Sequence, residues 1–178
     1  FAAVCIGCIA MLSVVFSLEY LMGIRPCALC ILQRVILALF ALTSLIAVAQ
    51  DPGILGQKIY SSICLFLAVC GLAAAGRQIW LQSLPPEELA TTGCFPDFIY
   101  MSQVLPLSEL LMHMIYGSAE CGTIKWTFLG LSIPEWSFLA FIVLGCFALF
   151  MIIRSFRLPP ILLRDSTTDN ENAFNIIE

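Results

Sequence analysis

The chain has 178 residues, of which 61% are hydrophobic and only 11% are charged. Soluble domains are about half apolar and about a quarter charged, so this composition excludes an ordinary soluble domain and favours a membrane protein with several spans. The net charge of −4 gives no basis for nucleic-acid binding, and the length allows one compact unit.

Four apolar segments are long enough to cross the hydrocarbon layer as helices, which takes about 20 residues each. They are predicted at about 1–20, 28–50, 59–78 and 136–154. A cleaved signal peptide does not leave an apolar run at the mature N-terminus, so the first segment is expected to be a retained span whose natural start lies upstream. The predicted fold class is all-α, a four-helix transmembrane bundle.

Two loops, at about 21–27 and 79–135, connect the spans on one side of the bundle, and the second is too long for a simple connector. Five apolar residues in it repeat at helical spacing: Leu107, Leu110, Leu111, Met114 and Ile115. Glu109, His113 and Tyr116 lie on the opposite helical face. This pattern predicts a short amphipathic helix on the membrane surface, with a helix packed inside the loop as the alternative.

An even number of spans puts both termini on the same side of the membrane. Arg154, Arg157 and Arg164 follow the last span, and the positive-inside rule assigns their side to the cytoplasm. The tail, 158–178, is rich in Asp, Asn and Thr and is expected to be a disordered cytoplasmic segment. The two connecting loops are then expected to face the opposite, oxidising compartment.

The nine cysteines divide into two groups by hydropathy. Five lie inside apolar runs: Cys5, Cys8, Cys64, Cys70 and Cys146. The other four lie at a run boundary or in the long loop: Cys27, Cys30, Cys94 and Cys121. The second group can therefore share one aqueous face of the membrane. Cys5 and Cys8 also have Cys-x-x-Cys spacing, but no nearby charge would lower a thiol pKa, so packing is the favoured role.

Cys27 and Cys30 form a Cys-x-x-Cys pair directly after Pro26, a residue suited to the first turn of a helix. A helix N-terminus favours the thiolate, which is the reactive form of cysteine. Arg34 lies four residues after Cys30 on the same helical face, where it can stabilise a thiolate or an anionic acceptor. The alternative role for Arg34 is that of a cation whose side chain extends to the membrane–water interface.

Cys94 and Cys121 lie beside glycines in polar surroundings. Such a pair suits either a structural disulfide or a dithiol relay, and the residues do not decide between these two roles. Four thiols could also form a zinc site or belong to a metal carrier. The second pair lacks zinc-knuckle spacing, so no metal site is predicted. His113 is expected to be a polar-face helix residue rather than a ligand or a base.

Two segments resemble the DsbB family of quinone-dependent thiol oxidases. One is Pro26-Cys27-Ala28-Leu29-Cys30 with Gln33-Arg34 following, and the other runs from Cys121 to Trp136, before the last span. Two cysteine pairs, four spans and a long second outer loop also match, so the resemblance covers about 1–157. Gln33 stands where some members of the family have Glu.

The resemblance implies a multi-pass protein of the bacterial inner membrane, with cytoplasmic termini and redox cysteines facing the periplasm. Such a protein reoxidises a DsbA-like thioredoxin-fold partner and passes the electrons to a membrane quinone, either ubiquinone or menaquinone. The resemblance also implies that Cys94 is attacked by the partner and that Cys121 exchanges with Cys27. Cys30 is then the thiolate that engages the quinone, beside Arg34.

Two other functions suit some of these features. A vitamin-K-epoxide-reductase-like enzyme is also a four-helix, quinone-linked thiol protein, but its Cys-x-x-Cys falls on the last span of the core bundle, whereas here the pair precedes the second span. A non-catalytic membrane protein with a structural Cys94–Cys121 disulfide is the other alternative.

Overall fold

The computed structural model describes residues 1–23, 26–50, 53–91, 106–117, 119–124 and 126–157. The elements in chain order are helices α1 (Ala2–Met22), α2 (Ala28–Gln50), α3 (Ile54–Gln82), α4 (Pro86–Thr91) and α5 (Leu107–Tyr116), a 3₁₀ turn (Ala119–Gly122), strands β1 (Thr127–Phe128) and β2 (Leu131–Ser132), and helix α6 (Ile133–Arg157). The two strands pair antiparallel as a small hairpin directly before α6. Cys94 and the tail 158–178, which was predicted to be disordered, lie outside the described residues.

Within the described part of the chain, α1, α2, α3 and α6 are long and apolar enough to cross a membrane. The predicted all-α, four-span architecture is therefore confirmed. Helices α3 and α6 extend past the predicted spans 59–78 and 136–154 at both ends. Hydropathy marks only the apolar middle of a helix, whereas backbone hydrogen bonds continue into its polar ends.

The short helix predicted in the long loop is α5, and it packs against α2. Its Met112 and Ile115 side chains are exposed, which suits a helix that lies in an interface. Arg77 of α3 stacks on Trp80, 4.3 Å from the ring centroid, and its Nη2 donates to the Tyr116 backbone oxygen over 3.3 Å. These contacts fix the C-terminal end of α5 beside α3.

The bundle interior is closed by the tight packing of α3 on α6. A Cβ atom at Gly71 would lie 2.3 Å from the Phe141 ring, so the two helices approach closely only because position 71 has no side chain. The core of buried residues there comprises Cys8, Ile36, Leu37, Phe40, Ala41, Cys64, Ala68, Phe141, Leu144 and Ala148. Two of the span cysteines are thus packing residues, whereas Cys146 is exposed on the outer surface of the bundle.

Candidate functional site

Three of the four cysteines singled out in the sequence meet at one end of the bundle. The Cys27 Sγ donates to the Cys30 Sγ over 3.2 Å, and Cys27 is also hydrogen-bonded to Cys121 of the 3₁₀ turn. Cys27 and Cys121 are 7% and 1% exposed, so this contact is shielded from water. The described residues contain no group of three or more His, Cys, Asp or Glu side chains arranged to hold a metal.

Cys27 lies at the entrance to α2 rather than inside it. Its backbone oxygen accepts from the Ile31 N–H over 3.1 Å, which makes it the residue that caps the helix. Hydrogen bonding to Cys121, then to Cys30, and finally burial raise the pKa of Cys27 above its ordinary value. The helix start therefore does not turn Cys27 into a ready thiolate. In the reduced pair, Cys27 holds its proton and donates it toward the Cys30 sulfur.

Two buried amides complete the polar surroundings of the thiols. The Gln33 Nε2 donates to the Gln78 Oε1 over 2.8 Å, and the Gln78 Nε2 donates to the Cys30 Sγ over 3.1 Å. The same Gln78 nitrogen lies 3.5 Å from the Cys27 Sγ. The sequence interpretation missed Gln78, although an amide inside an apolar span is costly enough to have marked the position as functional.

Arg34 is held against α1. Its Nη1 forms a salt bridge with the Glu19 Oε2, and its guanidinium carbon lies 5.1 Å from the centroid of the Phe16 ring. The Arg34 side chain is 18% exposed. Its Nε atom is buried and has no hydrogen-bond partner in the described structure. Glu19, near the C-terminal end of α1, thus belongs to the surroundings of Arg34.

A cleft bordered by α1, α2, α3 and α6 connects the thiols with Arg34. Cys27, Cys30 and Arg34 contribute its sulfur and cationic groups. Much of the remaining wall is apolar and includes Met11, Leu12, Val15, Leu18, Ala140 and Phe141. A cleft of this kind suits a mainly apolar ligand with a few polar atoms.

The whole chain was compared with known proteins. Residues 1–151 match the family described as disulfide bond formation protein DsbB. The chain belongs to the DsbB family. It is 38% identical over 149 residues to the disulfide bond formation protein B of Stutzerimonas stutzeri, covering 84% of this chain and 90% of the relative. The protein of the same name from Marinobacter nauticus is 40% identical over 156 residues, covering 88% and 92%.

A third relative of that name, from Chromohalobacter salexigens, is 43% identical over 138 residues, covering 77% of this chain and 79% of the relative. Membership of the DsbB family confirms the resemblance based on the cysteine motifs and favours it over the vitamin-K-epoxide-reductase-like alternative. Together with the four spanning helices, it makes the chain a disulfide-bond-forming, multi-pass membrane protein.

Proposed function

We propose that this protein reoxidises a periplasmic DsbA-like thioredoxin-fold partner and passes the electrons to a membrane quinone. The observation that carries the proposal is the direct contact of Cys121 with Cys27, next to Cys30 and the Arg34 cleft. A loop cysteine and a span-boundary pair in hydrogen-bonding contact can exchange disulfides without a large movement. The proposed location is the bacterial inner membrane, with the redox cysteines on the periplasmic face and both termini in the cytoplasm.

The relay begins with disulfides between Cys94 and Cys121 and between Cys27 and Cys30. A thiolate of the partner attacks Cys94, so a mixed disulfide forms and Cys121 leaves as a thiolate. Cys121 then attacks Cys27, and the Cys27–Cys30 bond breaks to release Cys30 as a thiolate. The second thiol of the partner resolves the mixed disulfide, and the freed Cys94 displaces Cys27 from Cys121.

This sequence leaves an oxidised partner, a restored Cys94–Cys121 disulfide and a reduced Cys27–Cys30 pair. Restoring the Cys27–Cys30 disulfide releases two electrons and two protons. A bound quinone supplies the acceptor for both and leaves as a quinol. Overall, one dithiol is oxidised and one quinone is reduced in each cycle.

The cleft residues fit a quinone. Its apolar wall suits the ring and the start of the isoprenoid tail, and Cys30 and Arg34 contribute to the same cleft. The buried Arg34 Nε, which lacks a partner among the described residues, is a donor suited to a carbonyl oxygen. Arg34 would thus hold one end of the ring near the Cys30 sulfur, and the guanidinium charge would stabilise negative charge that develops there.

Energetics also favour a quinone over a soluble thiol couple. DsbA-type oxidants have an established reduction potential of about −120 mV, against about −200 mV for glutathione in an oxidising compartment. Electrons from such a partner would have to move uphill by about 80 mV to reach glutathione. A membrane-dissolved quinone avoids this barrier and is available at the depth of the cleft.

A reconstituted assay tests the proposal. The purified protein is mixed with a reduced thioredoxin-fold partner and a soluble quinone, and quinone absorbance is followed. Turnover is expected to disappear in Cys30→Ser and in Cys94→Ser, because each change breaks one disulfide of the relay. The matched control is Cys146→Ser, which removes a thiol exposed on the outer surface of the bundle and should leave turnover unchanged.

Turnover that survives both Cys30→Ser and Cys94→Ser would overturn the proposal. A non-catalytic protein with a structural Cys94–Cys121 disulfide would show no turnover in the native chain. Unaltered turnover of Arg34→Ala at every quinone concentration would remove Arg34 from the quinone site while leaving the thiol relay in place.

A further inference from the structure

The Gln33 and Gln78 side chains are 5% and 3% exposed, at the thiol end of a mainly apolar bundle. A buried amide is costly unless both its N–H and its C=O groups are satisfied. Each amide has two chemically different ends of nearly the same shape, so its orientation is set only by the hydrogen bonds around it. The hydrogen bonds that fix the orientation of the amide therefore decide whether its nitrogen or its oxygen faces the cysteines.

The pair forms a directed chain of hydrogen bonds from α2 to α3 and back. The Gln33 Nε2 donates to the Gln78 Oε1 over 2.8 Å, so this oxygen is already engaged, and it lies 3.6 Å from the Cys30 Sγ, farther than the Gln78 nitrogen. The Gln78 Nε2 then donates to the Cys30 Sγ over 3.1 Å. Gln33 and Cys30 lie three residues apart on one face of α2, which lets a single α3 side chain reach both.

We propose that Gln33 and Gln78 act as a positioning pair, in which Gln33 fixes the amide of Gln78 so that an N–H donor, rather than a carbonyl oxygen, faces the Cys30 sulfur. A donor at this place stabilises a sulfur that carries negative charge, whereas an oxygen would repel it. The catalytic consequence rests on the proposed function, since Cys30 is the thiol that transfers electrons there. The positioning itself does not depend on a quinone or a protein partner.

The Gln78 amide nitrogen also lies near the second sulfur of the pair. The Gln78 Nε2 lies 3.5 Å from the Cys27 Sγ, so one amide nitrogen reaches both sulfurs of the pair. Cys27 in turn donates to Cys30 over 3.2 Å. Cys30 thus receives two donors, one from Gln78 and one from Cys27, and this places the negative charge of the reduced pair on Cys30.

The substitution Gln33→Glu gives the sharpest test, because an ionised carboxylate accepts hydrogen bonds and donates none. The Gln78 amide would then turn its N–H groups toward position 33 and its oxygen toward Cys30. Gln33→Glu thus removes the donor from Cys30 without altering any group that touches the sulfur. Gln78→Met removes the same donor directly and roughly preserves side-chain volume. Gln33→Met serves as a second variant at position 33 that introduces no buried charge.

The readout is the alkylation rate of Cys30 in the reduced, detergent-solubilised full chain, measured by peptide mass spectrometry over a range of pH. Gln78→Met and Gln33→Glu are each expected to react about 10-fold to 100-fold more slowly near neutral pH. All variants should reach the native rate at high pH, where every thiol is ionised. Gln33→Met should shift the profile in the same direction by a smaller factor.

The double variant Gln33→Met/Gln78→Met should react no more slowly than the slower of its two single variants, because both changes remove one and the same hydrogen bond. Gln82→Met is the matched control: Gln82 lies one turn further along α3, and its Oε1 accepts from the Ser132 Oγ over 3.1 Å. Its Cys30 profile should match that of the native chain.

An unchanged profile in Gln78→Met would overturn the proposal. A slowing of equal size at every pH would also overturn it, because that result indicates altered access to the thiol rather than a lost donor. Alkylation requires neither partner nor quinone. The variants could shift the pH profile of Cys30 alkylation as expected while the native chain shows no quinone turnover. That result would refute the proposed function and leave the positioning role standing.

Discussion

Arg34 of α2 and Glu19 of α1 form a salt bridge, although they belong to different spanning helices. Both residues line the same cleft as Cys27 and Cys30. The contact involves the Arg34 Nη1, while the Arg34 Nε remains buried without a partner in the described structure. One part of the guanidinium is thus used for anchoring and another part is available to a ligand. This division of roles gives Glu19 a testable part in the proposed binding of quinone.

Glu19→Gln is expected to raise the apparent KM for quinone by about tenfold while kcat stays within about twofold. The reason is that a neutral amide holds the guanidinium less firmly than a charge-assisted hydrogen bond does. Steady-state turnover at varied quinone concentration measures both constants. Glu109→Gln, at an exposed position of α5, is the control and should alter neither constant. An unchanged KM in Glu19→Gln would show that the ion pair only joins α1 to α2.

Cys121→Ala is expected to lower the pKa of Cys27, because hydrogen bonding to Cys121 is the largest cause that raises it. The pH dependence of Cys27 alkylation in the reduced protein measures the change, and the midpoint should move toward the ordinary cysteine value of about 8.5. Cys30→Ala should also lower the midpoint, by a smaller amount. A midpoint unaltered by Cys121→Ala would contradict the hydrogen-bonded arrangement.

The same raised pKa links the stability of the reduced protein to pH. A thiol that is harder to ionise in the folded state contributes stability that is fully present below its unfolded pKa of about 8.5 and is lost as pH rises above it. Chemical unfolding in detergent should therefore show stability falling at alkaline pH. Cys27→Ala should reduce that slope, and an equal slope in both proteins would refute the link.

Gly117→Ala is expected to destabilise the protein by about 2–4 kcal/mol. Gly117 has a φ of +75°, and a Cβ there would lie 2.7 Å from the Leu81 Cδ1 and 2.9 Å from the Leu29 Cδ1. Leu29 and Leu81 pack in the same buried cluster as Cys27 and Cys121, so they have little room to move. Unfolding in detergent, followed by circular dichroism, measures the loss.

Gly130→Ala isolates the backbone contribution to this loss. Gly130 has a φ of +81°, and no atom lies within 4 Å of a Cβ placed there. Its cost should be about 1 kcal/mol, since only the left-handed conformation is penalised. An equal loss of unfolding free energy in Gly117→Ala and Gly130→Ala would contradict the tight packing of Gly117 against Leu29 and Leu81.

Gly71→Ala is expected to destabilise the bundle by about 1–3 kcal/mol, because the added methyl group would overlap the buried Phe141 ring. The double variant Gly71→Ala/Phe141→Leu should recover part of the loss, and detergent unfolding measures both. Gly145→Ala is the control, since its nearest neighbour, the Ala68 Cβ, lies at an ordinary 3.6 Å. A tolerated Gly71→Ala would show that α3 and α6 can separate at low cost.

The spans, the early Cys-x-x-Cys pair and the amphipathic α5 could be predicted from the sequence because each depends on local properties. Hydropathy over about 20 residues decides whether a helix can cross a membrane, and helical spacing decides which residues share a face. Family membership likewise follows from motifs contiguous in the chain, such as Pro26 to Arg34. Hydropathy did not predict the full length of helices α3 and α6, because polar helix ends have no hydropathy signal.

The tertiary structure alone decided which groups meet across helices. Gln78 reaches Cys30 over a sequence separation of 48 residues, and Arg34 reaches Glu19 over a separation of 15. Both distances depend on how α1, α2 and α3 pack against one another. The sequence by itself determined that a thiol pair and an arginine lie at a span boundary. The packing of the helices decided that amides and a carboxylate surround them, because side-chain hydrogen bonds form only between groups in close contact.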